Sequence, residues 1–219
     1  MNSGERGFGF KGKATAALAL LATGAGLLLL GIPDTQARIE RMRPELEETL
    51  KNRKRHIDPA ELLGLMYNNQ LHLYLIDVRD EADFNLFHLK DAYHKPVEKM
   101  DAACCRKLKA GGIKVVMSND EARANRAYQH LTANGVPNVY ILAGGINLWI
   151  DLFRDGKPGP PHQQIDGRDD DRLRHRFQRA LGHLHRASLP DRDSAKGREY
   201  PEKVEISGPK RKPSGGCGG

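Results

Sequence analysis

The feature that most constrains this chain is a series of short apolar segments that have the length and composition of buried β-strands. The segments IKVVM at 113–117 and NVYIL at 138–142 are rich in β-branched residues, and LHLYLID at 71–77 is a third segment of this kind. Near-continuous apolar strands are typical of a parallel sheet that is buried on both faces. These segments therefore predict a sheet with helices on each side.

A helix is predicted between the last two strands. One apolar stripe at helical spacing is formed by Ala124, Ala127, Tyr128 and Leu131. Asn134-Gly135 is typical of a helix end. A second, shorter helix is predicted for AELLGLM, because Asp58-Pro59 caps and opens it. Strands that alternate with helices indicate an α/β fold with a mainly parallel sheet.

The loop after IKVVM is the place where we expect chemistry. In open parallel sheets, ligands bind beyond the carboxyl ends of the strands. Here that position begins at Ser118 and continues through Asn119, Asp120, Glu121, Ala122 and Arg123. A serine nucleophile needs an adjacent base, and the loop itself supplies no evident one.

The N-terminus, residues 1–37, has the order of regions that a secretory signal has. Basic residues precede an apolar run from Ala14 to Leu30, and Thr35-Gln36-Ala37 provides small residues at the two positions that a signal peptidase inspects. The apolar run is also close to the length that spans a bilayer. A cleaved signal and an uncleaved inner-membrane anchor both fit, and both predict a periplasmic or otherwise extracytoplasmic protein.

The remaining chain divides by composition. Residues 38–56 are predicted to form a charged helical spacer, 57–155 the α/β domain, 156–169 a Pro- and Gly-rich linker, 170–188 a basic amphipathic helix, and 189–219 a flexible tail. From residue 156 onward there are 14 Lys and Arg against 9 Asp and Glu. Aromatic residues do not interleave with these charges, so a nucleic-acid partner is not predicted.

The three cysteines do not form a disulfide framework, because the number is odd and two of them, Cys104 and Cys105, are neighbours. Both lie in a predicted helix, in which we expect Cys104 on the buried side and Cys105 exposed. The third, Cys217, lies near the C-terminus. We predict no metal site and no cofactor.

Over about 100 positions the chain resembles the rhodanese family. The resemblance is carried by DVRDEADFNLFHLKDA, which contains Asp77, Val78, Arg79 and His88, and by a Gly-Gly pair followed by a helix and Trp149. The family resemblance implies a rhodanese-like fold and binding roles for Asp77, Arg79, His88 and Arg123. Phe87 and Asp91 stand where the family usually has small residues.

In active members of that family a cysteine ends the buried strand, and a six-residue loop wraps its sulfur. Ser118 occupies the matching position here. A hydroxyl is a much weaker acid than a thiol and cannot hold sulfur as a persulfide. The carboxylates of Asp120 and Glu121 are expected to repel an incoming anion. The resemblance therefore implies a loop of preserved length that has lost sulfur transfer.

The C-terminal sequence GGCGG resembles the mobile arm of the carrier subunit of the thiosulfate-oxidising (Sox) system. In that family the arm cysteine carries the sulfur intermediate, and Cys217 is the matching residue. Lys210, Arg211 and Lys212 precede it and favour a thiolate. The resemblance implies a sulfur-oxidising or sulfur-transferring protein as the partner.

The sequence therefore predicts an exported sulfur-trafficking protein with a non-catalytic docking domain and a carrier thiol at Cys217. Two alternatives stay open at this point. One is a non-catalytic rhodanese-fold scaffold with a passive tail, and the other is a sulfurtransferase that uses Cys105 or Cys217 as its nucleophile.

Overall fold

The computed structural model describes residues 34–154 and 171–205. Most of the predicted signal or anchor (1–33 of 1–37), the whole 156–169 linker and the GGCGG arm with Cys217 lie outside the described residues. Within the described ranges, no helix combines the length and the apolar character that a membrane crossing requires.

Five parallel strands form one sheet, and the predicted α/β fold is confirmed. The strands are β1 (His56–Ile57), β2 (Leu73–Asp77), β3 (Tyr93–His94), β4 (Ile113–Met117) and β5 (Val139–Leu142), in the spatial order β1-β5-β4-β2-β3. Sequence analysis identified β2, β4 and β5 but not the two-residue edge strands. The last residues of β2 and β4, Asp77 and Met117, are paired in register, so both strands end at the same edge of the sheet.

Six α-helices cover the sheet in the described ranges. They are α1 (Thr35–Lys51), α2 (Pro59–Met66), α3 (Glu81–Leu86), α4 (Ala102–Leu108), α5 (Ala122–Ala133) and α6 (Gly145–Phe153). As predicted, Asp58 caps α2, where its carboxylate accepts a hydrogen bond from the Ala60 amide. The predicted stripe of α5 is buried.

The first face of the sheet is covered by α1, α4 and α5. Within the predicted helical spacer 38–56, residues 38–51 are helical, 52–55 form turns and His56 begins β1, and α1 is not a detached spacer. Leu46 is fully buried in the core on this face, and Ile39, Met42 and Leu50 pack against the same core. The Arg38 guanidinium also donates to the Asn134 side chain at 3.0 Å, which ties α1 to the end of α5.

The second face is covered by α2, α6 and residues 171–205, which we call the C-terminal strap. The predicted amphipathic helix at 170–188 is wrong, since the strap contains only turns and two 3-10 segments, Arg186–Ser188 and Arg192–Ala195. Some of its amides bond to a carbonyl three residues back, as Leu184 does to Leu181 at 2.9 Å, but others bond to the domain. The Leu181 amide, for example, donates to the Leu86 carbonyl at 3.1 Å. Leu184, which belongs to the predicted stripe, is 77% exposed.

The strap is held along its length by side chains of the domain. The Trp149 indole donates to the Ala187 carbonyl at 2.7 Å, and the Tyr67 hydroxyl donates to the Pro190 carbonyl at 2.8 Å. Farther along, Arg198 forms an ion pair with Asp58 at 2.9 Å. The strap is therefore an integral layer of the fold.

Candidate functional site

The candidate site is the loop Ser118–Arg123 that joins β4 to α5. Ser118 directly follows the last residue of β4, and it is fully buried. Its hydroxyl accepts a hydrogen bond from the Ala124 amide at 3.2 Å, which satisfies one of the free amides at the start of α5. Among the described residues, no imidazole or carboxylate is hydrogen-bonded to this hydroxyl. The serine therefore acts here as a helix-terminal acceptor.

The Gly-Gly pair before α6 fixes the backbone of this loop. The Ile146 amide donates to the Ser118 carbonyl at 2.8 Å, and the Asn147 amide donates to the Asn119 carbonyl at 2.9 Å. Gly145 has a φ of +61°, and a β-carbon there would lie 2.0 Å from the Asp120 carbonyl oxygen. Only glycine allows the loop and α6 to approach this closely.

Asp77 and Arg79 form a fully buried ion pair beside the loop. The Arg79 guanidinium contacts the Asp77 carboxylate at 2.7 Å and donates to the Phe87 carbonyl at 2.6 Å. A further hydrogen bond of 3.2 Å reaches the Asn119 side-chain oxygen. The structure thus brings the predicted binding residues Asp77 and Arg79 to the loop. These hydrogen bonds pair them with each other, with the Phe87 carbonyl and with the Asn119 side chain.

Arg123 lies at the start of α5 and bridges two carboxylates. It contacts Asp80 at 2.8 Å and Asp171 at 3.6 Å. The hydrogen bond that Arg123 donates to the Asp80 carboxylate raises the pKa of Arg123, although burial opposes this shift. The predicted binding residue Arg123 therefore already has two acidic partners within the protein.

The carboxylates of Asp120 and Glu121 are engaged in internal contacts that were not predicted from the sequence, and their repulsion of an incoming anion stays a prediction. Asp120 bonds to Arg174 and accepts from the Asn147 side chain at 3.1 Å. Glu121 accepts from the Gly144 amide and forms an ion pair with Arg53 at 2.7 Å. Each carboxylate thus has donors from neighbouring elements.

His88 occupies a different environment from the loop. Its ring stacks on Phe84 with centroids 3.8 Å apart, and its Nδ1 lies 2.8 Å from the Phe84 carbonyl oxygen. Burial lowers the pKa of His88. Within the described chain, no hydrogen bond links His88 to residues 118–123, so the structure does not bring this predicted binding residue together with the others.

The two neighbouring cysteines are arranged in the opposite way to the prediction. Cys105 is buried, at 3% exposure, whereas Cys104 is half-buried and its sulfur lies 3.5 Å from the Tyr93 hydroxyl. The Asp101 cap sets the phase of α4 and turns Cys105 toward the core on the first face. Burial, together with the neighbouring Cys104, raises the pKa of the Cys105 thiol.

The sequence analysis missed three polar residues that complete the site. Asp83 accepts from the Asn119 side chain at 2.6 Å, Asn147 bonds to the strap, and the Asp171 carboxylate accepts from the Asp120 amide at 2.7 Å. Asn147 could have been noticed as an amide in the apolar helix INLWI. Nothing in the sequence around Asp171 indicates this contact.

No cluster of potential metal ligands occurs among residues 34–154 and 171–205. What the loop offers chemically is a group of backbone amides at the start of α5, one of which bonds to the Ser118 hydroxyl while two others bond to the carboxylate of Asp171.

Comparison with known proteins identifies the family. The rhodanese-like domain profile matches residues 58–152. The chain is similar to the thiosulfate sulfurtransferase GlpE of two Vibrio cholerae strains, at 31% identity over 94 residues that cover 43% of this chain and 86% of the relative.

The chain is also similar, at lower identity, to two solved structures. One is the rhodanese-like domain of an Anabaena protein, with 22% identity, a TM-score of 0.41, and coverage of 57% of this chain and 98% of the other. The second is a Bacillus halodurans protein, with 21% identity, a TM-score of 0.39, and coverage of 49% and 79%. On the family profile and the match over most of the Vibrio relative, this chain belongs to the rhodanese-like domain family.

Proposed function

We propose that this protein takes part in sulfur trafficking, with a rhodanese-like domain that docks a partner without catalysing sulfur transfer and with Cys217 as a covalent sulfur carrier. The observation that carries the proposal is the environment of Ser118. This residue stands where the resemblance expects the catalytic cysteine, it is fully buried, and its hydroxyl bonds to the Ala124 amide. Oxygen in this position cannot form a persulfide, and a base that could activate it is not hydrogen-bonded to it in the described chain.

The carrier role of Cys217 rests on the C-terminal sequence. Two glycines on each side remove neighbouring side chains, so a narrow channel in a partner could admit the thiol. The strap supports this role because its described end bonds to α2. The amides of Lys203 and Val204 donate to the Glu61 carboxylate at 2.9 and 2.7 Å. An arm that starts from residue 205 has a fixed base on the domain.

The partner that we propose is a sulfur-oxidising or sulfur-transferring protein outside the cytoplasm. This location rests on the basic, apolar and small-residue order of residues 1–37, whether that segment is cleaved or stays in the inner membrane as an anchor. A C-terminal reporter that is active only outside the cytoplasm should be active on this chain. Activity of a cytoplasmic reporter alone would contradict the location.

The carrier proposal is tested by the mass of the C-terminal peptide from native cells grown on reduced sulfur. We expect a sulfane-sulfur or thiosulfonate adduct on Cys217 that a reductant removes. Replacing Gly216 and Gly218 with valine should abolish partner-dependent loading, yet it should leave Cys217 reactive toward a small alkylating agent. An unmodified peptide, or equal loading of the valine variant, would leave the non-catalytic scaffold with a passive tail as the better account.

The third candidate, a sulfurtransferase that uses Cys105 or Cys217, is weakened for Cys105. A nucleophilic thiol is exposed and has a low pKa, whereas Cys105 is buried and its pKa is raised by burial and by Cys104. We expect alkylation of Cys105 in the folded protein to be slower than that of Cys104. Thiosulfate turnover that Cys105→Ser abolishes would restore this candidate.

A further inference from the structure

The carboxylate of Asp171 is held in the Ser118 loop in the manner of a bound ligand. Its Oδ1 accepts from the Asp120 amide at 2.7 Å, and its Oδ2 accepts from the Arg123 amide at 3.3 Å. The Arg123 guanidinium lies 3.6 Å from the same Oδ2. Asp171 is only 5% exposed. Each carboxylate oxygen therefore has its own backbone donor in a site closed to water.

The donors have a physical reason to bind an anion. α5 has 12 residues, and the amides before and within its first turn have no partner inside the helix. The aligned peptide dipoles also make this end of the helix electropositive. Of these amides, the one of Ala124 bonds to the Ser118 hydroxyl, and those of Asp120 and Arg123 bond to Asp171. The loop thus binds a carboxylate that comes from 48 residues farther along the chain.

Two asparagine side chains hold the backbone that follows this carboxylate. The Asn119 amide donates to the Asp171 carbonyl at 2.9 Å, and the Asn147 amide donates to the Arg172 carbonyl at 2.8 Å. The Asn147 side-chain oxygen accepts from the Arg174 amide, also at 2.8 Å. The strap is therefore recognised through its backbone as well as through its charge.

Phe87 strengthens the contact at a position where the sequence departs from the family pattern. Its ring is fully buried and stacks on Phe177 of the strap with centroids 5.7 Å apart. His185 of the strap meets the Phe87 ring edge-on at 5.4 Å. A small residue at position 87 would lack both ring contacts. The phenylalanine at this position therefore contributes to binding of the strap.

We infer that the Ser118 loop is a binding site for a peptide-borne carboxylate, and that the strap fills it in cis with the side chain of Asp171. The filled site is closed to external oxyanions. Removal of the Asp171 side chain leaves the two backbone donors without that carboxylate and Arg123 with its contact to Asp80 at 2.8 Å, so that a small carboxylate can bind from solution.

The test is an acetate titration of full-length Asp171→Ala, because acetate has the same carboxylate group as the missing side chain. The readout is the pair of backbone amide resonances of Asp120 and Arg123 in the ¹⁵N-labelled protein, at constant ionic strength. We expect saturable shifts with half-saturation on the order of 10 mM, as for one small ion. Acetamide, which has the same shape without the charge, should shift neither resonance.

Two proteins serve as controls in the same titration. The unaltered chain should not respond, because Asp171 occupies the site. Asp193→Ala removes an exposed acidic side chain from the strap and should also not respond. If Asp171→Ala loses its folded spectrum, Asp171→Asn keeps the size of the side chain and is titrated instead. Its weaker amide ligand should be displaced by acetate.

Three results would overturn the inference. Acetate could shift the Asp120 and Arg123 amides equally in the unaltered chain and in the variant. Acetamide could act as strongly as acetate. Alternatively, neither resonance could respond in a folded variant at position 171.

Discussion

The two faces of the sheet are covered by different kinds of structure. On the first face, α1, α4 and α5 pack through apolar side chains such as Leu46 and Leu131, both fully or almost fully buried. On the second face, the strap lies over α6 and the Ser118 loop. It is held by apolar residues such as Ala187 and Phe177 and also by hydrogen bonds from side chains to its backbone, among them those of Trp149 and Asn147. The first arrangement stabilises the fold by apolar burial, and the second determines what can reach the site.

This difference predicts where substitutions act. Loss of an apolar side chain on the first face should lower the stability of the whole domain, since a cavity is left in a core. Loss of a polar side chain under the strap should mainly loosen the strap, because its hydrogen bonds are local to one irregular segment. Four changes test this comparison, in order of expected effect.

The largest effect is expected from Leu131→Ala, which removes a fully buried side chain from the first face. The free energy of unfolding should fall by about 3 kcal/mol, measured by urea denaturation. Leu184→Ala is the matched control on the strap, because Leu184 is 77% exposed. A change of less than about 0.5 kcal/mol is expected there. Equal effects of the two substitutions would remove the distinction between the faces.

The next effect is expected from Asn147→Ala, which removes the buried amide beneath the strap. The Arg172 carbonyl and the Arg174 amide would lose their partner, at a cost of about 1–3 kcal/mol. We expect trypsin to cleave faster after Arg174 and Arg176 in the variant, and mass spectrometry of the digest over time measures this rate. Asn85→Ala, at an exposed position of α3, should leave that rate unchanged. Unchanged cleavage in Asn147→Ala would show that the strap does not depend on this contact.

A pH effect of intermediate size is expected from Glu121, which lies between the two faces. Burial would raise the pKa of Glu121, but hydrogen bonds and charges from His56 and Arg53 outweigh it and hold the pKa far below 4.5. A carboxylate with a depressed pKa contributes stability above its unfolded pKa and loses it as pH falls. Unfolding free energy should therefore decline below about pH 4.5, by at most about 1.4 kcal/mol per pH unit for this proton.

Glu121→Gln is the test of that pH dependence. The variant should be less stable at pH 7, because the ion pair with Arg53 is lost, and its stability should depend less on pH between about pH 3 and pH 5. Denaturation curves at several pH values measure both. A slope identical to that of the unaltered chain would mean that Glu121 is not held ionised by its neighbours.

The smallest effect is expected at Asp91, one of the two positions where the family usually has a small residue. Asp91 has a φ of +62°, in the left-handed region that favours glycine. Asp91→Gly should raise the unfolding free energy by about 0.5 kcal/mol, after the greater entropy of unfolded glycine is subtracted. Lys90→Gly, at the exposed neighbouring position, should lower it. Destabilisation by both changes would mean that backbone strain at Asp91 is negligible.

The helices and strands with local apolar patterns could be predicted from the sequence, whereas the strap on the second face could not. Strands β2, β4 and β5 are short, nearly continuous apolar segments rich in strand-forming residues, and α5 has an apolar stripe at helical spacing, so the local sequence indicates each of these elements. The strap has helix-forming residues with an apolar stripe, yet it is irregular. Its amides find partners on the domain, such as the Asn85 carbonyl for Gly182, and those contacts depend on the folded surface. Local sequence does not contain that information.

The candidate site shows the same limit. The position of Ser118 after β4 and the need for glycine before α6 follow from local rules. The roles of Asp120 and Glu121 did not follow, because their partners Arg174 and Arg53 are 54 and 68 residues away. The predicted exposures of Cys104 and Cys105 were wrong, because Cys105 is the more buried of the two. The phase of a seven-residue helix depends on its cap and on the core against which it packs.

The central claim is that the Ser118 loop does not transfer sulfur, and the most direct test is thiosulfate:cyanide sulfur transfer by the Cys217→Ser variant. This variant separates the loop from the C-terminal thiol. We predict turnover at background for Cys217→Ser and for the double variant Cys217→Ser/Ser118→Ala alike. Turnover that persists in Cys217→Ser and disappears in the double variant would contradict the account.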